Sequence, residues 1–212
     1  MSEPVTEKDN RLYEVVRILA GIVFHTLMPV RFHHTERLDR EPPMLLIANH
    51  QHALDPVVMA LAVKKQQVVF LGKKELGKNR FFRKILTRLH CILVDRHNTD
   101  MEAMRACMKA IRLKKTLVIF PEGTRHHEGQ MEQIENGTSL IALRGKAPVI
   151  PMYIEKPLRW FRVTDIYVGE PIPYEDLLDE GINTETCEKM NDRMRETYRS
   201  MIREVQASKK KK

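Results

Sequence analysis

The chain has 212 residues, 42% of them apolar and 30% charged, with 9 Gly and no repeat or low-complexity tract beyond a terminal lysine run. Disordered and fibrous classes are thereby excluded, and one globular domain that buries a core without staples is expected. Thirty-six Lys and Arg against 28 Asp and Glu leave a formal charge of +8, half of it from Lys209 to Lys212, a balance that fits nucleic acid, an anionic membrane surface, a phosphorylated substrate or simply a solvated face.

In chain order, residues 18–30 carry no formal charge, but these 13 residues fall short of the about 20 that a spanning helix needs. Glu3, Glu7, Asp9 and Glu14 precede the run and no small-residue cleavage site follows it, which argues against a secretory leader. Leu12, Val16, Leu19, Val23 and Leu27 recur at helical spacing and predict a helix with one apolar side, ending near Pro29. That side either covers the core or rests on a bilayer. Residues 44–48 read as a strand, and Asp55-Pro56 as the N-cap and first residue of a helix. Strands follow at 67–71, 91–94, 116–120, 149–154 and 162–168, and helices at 80–89, 99–112, 138–144 and 184–206. The last helix aligns Cys187, Met190, Met194, Tyr198, Met201 and Val205 on one face, read as core packing. Alternating strands and helices predict an α/β domain, divided as an apolar helix and lead-in over 1–34, the domain proper over 35–206 and a basic tail over 207–212.

Three loops after predicted strands hold the chemically unusual residues: 49–55, 95–96 and 121–125. In α/β sheets such loops carry function. His50 and Asp55 read as a base and the carboxylate that orients it, although for this spacing taken alone an N-capping Asp55 beside an exposed His50 is the commoner explanation. The run Glu122, Gly123, Thr124, Arg125 places a carboxylate, a glycine, a hydroxyl and a guanidinium at a strand end. Arg125, and Arg96 from a neighbouring strand, are each suited to a bidentate phosphate. The three cysteines, Cys91, Cys107 and Cys187, are odd in number and lack zinc-like spacing; they read as packing residues in a reduced, cytosolic setting.

Taken together these loops resemble the glycerolipid acyltransferases typified by 1-acyl-sn-glycerol-3-phosphate acyltransferase, over roughly residues 44–172. The first block is Asn49, His50 and Asp55, an NH-x4-D pattern. The second is GKKEL at 72–76, followed by Phe81-Phe82 and then VDR at 94–96. FPEGTR at 120–125 is the third and APVIPM at 147–152 the fourth, with GEPI at 169–172 also typical.

The resemblance implies a glycerol-3-phosphate acyltransferase-like fold, a single domain with a mixed, mostly parallel sheet flanked by helices and preceded by the apolar helix. It implies that His50 deprotonates the hydroxyl of 1-acyl-sn-glycerol-3-phosphate for direct attack on an acyl thioester, that Asp55 orients His50, and that no acyl-enzyme forms. Lys73, Arg96, Glu122, Gly123, Thr124 and Arg125 would bind the acceptor phosphate, with Glu122 organising the loop, and Pro151 would shape a pocket. No cofactor and no metal is expected; the donor is acyl-CoA or acyl carrier protein, and nucleic acid is excluded for want of a binding platform.

Two departures from the family pattern bear on specificity. His52 stands where a small residue is common, and His126 and His127 where a Ser is. A zinc site at His50, His52 and Asp55 is the remote alternative. Other readings are a different lysophospholipid acceptor, a transacylase, and a silent lipid-binding relative. The expected location is the cytoplasmic face of an anionic membrane, as a peripheral or monotopic protein. The basic helix at 80–89, the first helix, the segment Arg159-Trp160-Phe161-Arg162 and the lysine tail are the candidate contacts, each of which could equally be an ordinary part of the surface.

Overall fold

The computed structural model describes residues 11–64, 66–94, 101–125 and 131–210. Seven helices and seven strands occur among them: α1 (Arg11–Thr26), β1 (Val30–His33), β2 (Met44–Ala48), α2 (Asp55–Ala62), β3 (Val68–Lys73), α3 (Arg80–Arg88), β4 (Cys91–Val94), α4 (Met101–Arg112), β5 (Thr116–Ile119), α5 (Asn136–Gly145), β6 (Val149–Ile154), β7 (Thr164–Val168), α6 (Glu175–Asp179) and α7 (Thr184–Lys210), with short 3-10 turns at Thr35–Leu38 and Lys74–Gly77.

The strands form one sheet in the order β1-β7-β6-β2-β5-β3-β4. Neighbours from β6 to β4 are parallel, β7 runs antiparallel to β6, and β1 is parallel to β7. The central strands MLLIA, TLVI and VIPMYI are buried at every position, as expected where helices cover both faces of a parallel sheet. Period-two alternation then divides each strand between two cores. Leu45, Ile47, Leu117, Ile119 and Val149 pack with residues of α4, α5 and α7. Met44, Leu46, Ala48, Val118, Phe120, Ile150 and Met152 pack with residues of α1 and α2.

The strands expected from sequence are present within a residue or two. β1, α6 and the two 3-10 turns were not anticipated. β1 is four residues long and pairs only with β7, so its signal is too short to stand out after an apolar helix. Residues 95–100, 126–130 and 211–212 are outside the described ones, so the expected helix start at 99–100, together with Arg96, His126 and His127, has no structural account.

The apolar side expected on α1 is covered only in part: Leu12, Val16 and Val23 are half-buried, and Leu19 and Leu27 are exposed. Tyr13 and Phe24 are its buried residues, whereas Val15, Ile18, Leu19 and Ile22 are each more than half exposed. This helix is apolar on more than one side, and α2 decides which side is covered: an added Cβ at Gly21 would meet Leu61. Arg17 reaches the Val63 and Lys64 carbonyls, and Val68 donates to the Tyr13 hydroxyl. Among the described residues no helix is long and apolar enough to cross a membrane.

Packing on the opposite face is tight enough to dictate residue type. A Cβ on Gly169 would lie 2.7 Å from Pro151 Cγ and 2.8 Å from Met201 Sδ, so the glycine of the GEPI run lets β7's end close over β6. Cys91 and Cys107 are buried and Cys187 only partly so, all three as free thiols. Burial pushes the Cys91 thiol up to about 12, which suppresses the thiolate that would react. The native chain should therefore expose one readily alkylated thiol, Cys187, and three only in denaturant, as counted by mass after iodoacetamide treatment.

Candidate active site

The parallel strands end along one edge of the sheet, and loop 49–54 after β2 and loop 120–125 after β5 emerge there side by side, since Ile47 pairs with Ile119. Lys73 closes β3, the next strand along. His50, Asp55, Lys73 and the 122–125 loop are thus brought to a common edge. Pro151 is not at that edge. It lies inside β6, buried, three residues short of Ile154, and its ring contacts the Gly169 backbone region.

His50 Nδ1 lies 2.9 Å from Asp55 Oδ2. An ionised carboxylate only accepts, so Nδ1 carries the ring proton and Nε2 keeps its lone pair. The imidazole rests on Phe120, with ring centroids 4.3 Å apart, and its side chain is 15% exposed. Asp55 is 0% exposed and also accepts the backbone N–H groups of Gln51 and His52, each at 2.7 Å on the same Oδ2. The expected capping role is therefore corrected. Asp55 is the first residue of α2, with Leu54 as its N-cap, and its carboxylate turns back to bind the loop that precedes the helix.

Glu122, 5% exposed, accepts the His50 backbone N–H at 2.9 Å through Oε2. The two loops are therefore joined by the very residues that carry their chemistry. Gly123 has φ +65, and an added Cβ would meet Glu135 at 3.0 Å, so only glycine fits this turn without strain. Thr124 and Arg125 follow it and are exposed, as is Lys73. His52 braces the loop: its Nδ1 accepts the Leu54 N–H at 3.2 Å. Among the described residues no three His, Cys, Asp or Glu side chains are grouped as ligands of an ion.

Two supports were invisible in the sequence because their partners are distant along the chain. Asn49 extends the β2–β6 ladder with its side chain: Nδ2 donates to the Ile154 carbonyl at 2.9 Å and Oδ1 accepts the Ile154 N–H at 2.8 Å. Gln51 Nε2 donates to the same carbonyl at 2.9 Å. From the other face, the Tyr198 hydroxyl of α7 lies 2.7 Å from the Ile47 carbonyl and 3.0 Å from that of Met152, so one proton serves two strand ends. Burial, with the Glu122 charge adding to it, raises the Tyr198 phenol well above its ordinary range and keeps it a donor.

The acyltransferase family profile matches residues 29–155. The chain belongs to the acyltransferase family. The matched span runs from the residue before β1 to the residue after β6, and it includes both loops just described. This acyltransferase is 28% identical over 189 residues to the 1-acyl-sn-glycerol-3-phosphate acyltransferase of Streptococcus pneumoniae, covering 84% of this chain and 70% of that one. It is 25% identical over 152 residues to the enzyme of the same name from Bacillus subtilis, covering 69% and 75%. Its fold is shared with the solved 1-acyl-sn-glycerophosphate (LPA) acyltransferase PlsC from Thermotoga maritima, at TM-score 0.66 and 18% identity over 93% of this chain and 80% of that one.

Removing a support should loosen the loop without touching a reacting atom. Asn49→Ala leaves the buried Ile154 N–H unpaired and should cost about 1–3 kcal/mol. Asn49→Asp should cost at least as much, because one carboxylate oxygen would face the Ile154 carbonyl. Urea midpoints at constant m-value check both. Tyr198→Phe should lose about 1 kcal/mol by the same measurement, the net worth of one buried hydrogen bond.

Proposed function

We propose that this acyltransferase moves an acyl chain from an acyl thioester to the free hydroxyl of 1-acyl-sn-glycerol-3-phosphate, giving phosphatidic acid. The observation that carries the reading is the 2.9 Å His50–Asp55 pair, set at the strand edge beside exposed Lys73, Thr124 and Arg125. Relatives named for this reaction support the choice of acceptor.

In the proposed reaction His50 Nε2 takes the acceptor's hydroxyl proton as the oxygen attacks the thioester carbonyl. Asp55 stabilises the imidazolium that forms. The tetrahedral intermediate collapses with cleavage of the C–S bond, and the imidazolium returns its proton to the departing thiolate. No acyl-enzyme is required. General base catalysis supplies about 10²- to 10⁴-fold, and holding both substrates in register supplies much of the remainder. Arg125 and Lys73 would grip the phosphate, with Arg96 as a further candidate, and the Gly123 turn lets the anion approach the backbone closely. Glu122 and Pro151 act one step removed, the first by fixing the His50 backbone and the second by shaping β6.

An acceptor with one acyl chain resides in lipid, so the enzyme would work as a peripheral membrane protein. α1 carries the exposed apolar stripe. α3 and the turn before it expose Phe81 and Leu76 among Lys73, Lys74, Lys78, Arg80, Arg83, Lys84 and Arg88, a composition suited to an anionic leaflet.

The test is thiol release from acyl-CoA and, separately, from acyl carrier protein, with lysophosphatidic acid present. His50→Ala should lower kcat by about 10²- to 10⁴-fold with little change in the acceptor KM, and Arg125→Ala should raise that KM. Whichever thioester supports release is the donor. Release from neither, by folded protein supplied with vesicles, would sink the proposed reaction and leave a different acceptor or a transacylase.

A further inference from the structure

The connection from β6 to β7 spans residues 155–163 and presents two aromatic rings to solvent: Trp160 is 60% exposed and Phe161 74%. This is a built turn. Leu158 at its base is buried at 5% exposure in the core shared with α1 and α2. Arg159 and Arg162 face each other across an antiparallel bridge, which puts the two rings at the tip. The Phe161 N–H donates to the Leu27 carbonyl just past α1, at 2.7 Å. Phe161 also has φ +57, a conformation that a bulky side chain adopts only when its surroundings impose it. The chain thus spends backbone strain to hold an apolar ring in water, which is the mark of a surface that meets something.

Three observations say what it meets. The first is charge: the connection holds Lys156, Arg159 and Arg162 against one acidic residue, Glu155, which sits at its root and is paired with Lys209, so the tip is cationic, the partner is anionic, and a second copy of this +8 chain is disfavoured. The second is chemistry: Trp beside Arg suits the headgroup layer of a bilayer, where an amphipathic ring and a cation are satisfied together. The third is position. β7 is antiparallel to β6, so their connection lies at the edge where β2 and β5 deliver His50 and Glu122. Ile154, at the root of the turn, is the residue clamped by Asn49 and Gln51. The exposed stripe of α1 runs through Ile22 towards Leu27, itself 37% exposed, and so ends at this turn.

We propose that Arg159–Arg162 is a preformed interfacial anchor that seats Trp160 and Phe161 in the headgroup layer of an anionic phospholipid bilayer and sets the height of the His50 edge above it. The role in setting height rests on the acyl transfer reading above, whereas the binding itself needs no turnover.

Trp160 is the only tryptophan, so its emission reports this turn alone. The full chain is mixed with vesicles of phosphatidylcholine, with or without phosphatidylglycerol, and followed by fluorescence and by co-sedimentation. Emission should shift to the blue and become quenchable by brominated acyl chains with the anionic vesicles, and much less so with the neutral ones. Phe161→Asp should lower the partition coefficient at least tenfold; Asp accepts a positive φ more easily than Phe does, so the loss would not come from misfolding. Arg159→Gln and Arg162→Gln should each lower it about fivefold on anionic vesicles only, the equivalent of about 1 kcal/mol per basic residue, and Trp160→Phe should keep most of the binding.

Emission that stays unshifted, whether or not the chain sediments with the vesicles, overturns the anchor. So does an equal shift on neutral vesicles, or a Phe161→Asp variant that binds as tightly as the parent. A dimer that Phe161→Asp converts to monomer would assign the turn to a second copy instead. With a short-chain, water-soluble lysophosphatidate, Phe161→Asp should transfer at the parental rate. If the parent shows the emission shift but no acyl transfer, the reaction proposed above fails while the anchor stands.

Discussion

Asp55 Oδ2 accepts hydrogen bonds from the His50 ring and from the Gln51 and His52 backbones, on a side chain with no exposure at all. A lone buried carboxylate would sooner take up a proton than remain charged. Here three donors on Oδ2, the His50 ring among them, replace part of the lost hydration, while Oδ1 is buried without a hydrogen-bond partner among the described residues. The same contacts fix the ring tautomer, the path of the loop and the angle at which α2 leaves it, so base, loop and helix stand or fall together. A carboxylate that only tuned the imidazole would need one bond; the other two tie it to the loop as well, so a substitution that removes Oδ2, such as Asp55→Ala, would disturb more than the ring.

The sheet keeps the chemistry and the fastening on different faces. Phe120 beneath the imidazole belongs to the core shared with α1 and α2, while Tyr198 and Met201 secure β2 and β6 from the α7 side. The strand ends are thus gripped through their carbonyls from behind, on the side opposite the imidazole. Glu122 spans the two systems: it accepts the His50 N–H and its charge raises the Tyr198 phenol.

Much of this was legible in the sequence, and the rest was hidden for definite reasons. β2, β5 and β6 announce themselves as short continuous apolar runs because both faces are covered. The α7 face was readable because one long helix repeats its pattern over many turns, and Met190, Met194, Tyr198, Met201 and Val205 are indeed buried. β1 could not be read, since VRFH at a sheet edge has neither length nor alternation. The buried side of α1 could not be read either, because apolar residues occur on more than one side of that helix and only the packing of α2 selects among them. At the site, His50, Asp55 and the PEGTR run were visible as residue types in ordered loops. The reach of Asn49 to Ile154, 105 positions away, depends on the strand order β6-β2-β5, which no local pattern encodes.

That strand order also sets the geometry of approach. β2 lies between β5 and β6, so the loop bearing His50 has the cationic PEGTR end on one side and the root of the β6–β7 connection on the other. A phosphate held towards Arg125 and a bilayer surface met at Trp160 would therefore reach His50 from opposite flanks of a single strand end. A lysophospholipid has that polarity: a charged head, a hydroxyl close to it, and an acyl chain that remains in lipid. In the proposed reaction the free hydroxyl would fall between the two anchored ends, where a rigid edge could hold it against His50 Nε2 without gripping the chain along its length. The Asn49–Ile154 and Tyr198 contacts are what fasten that edge.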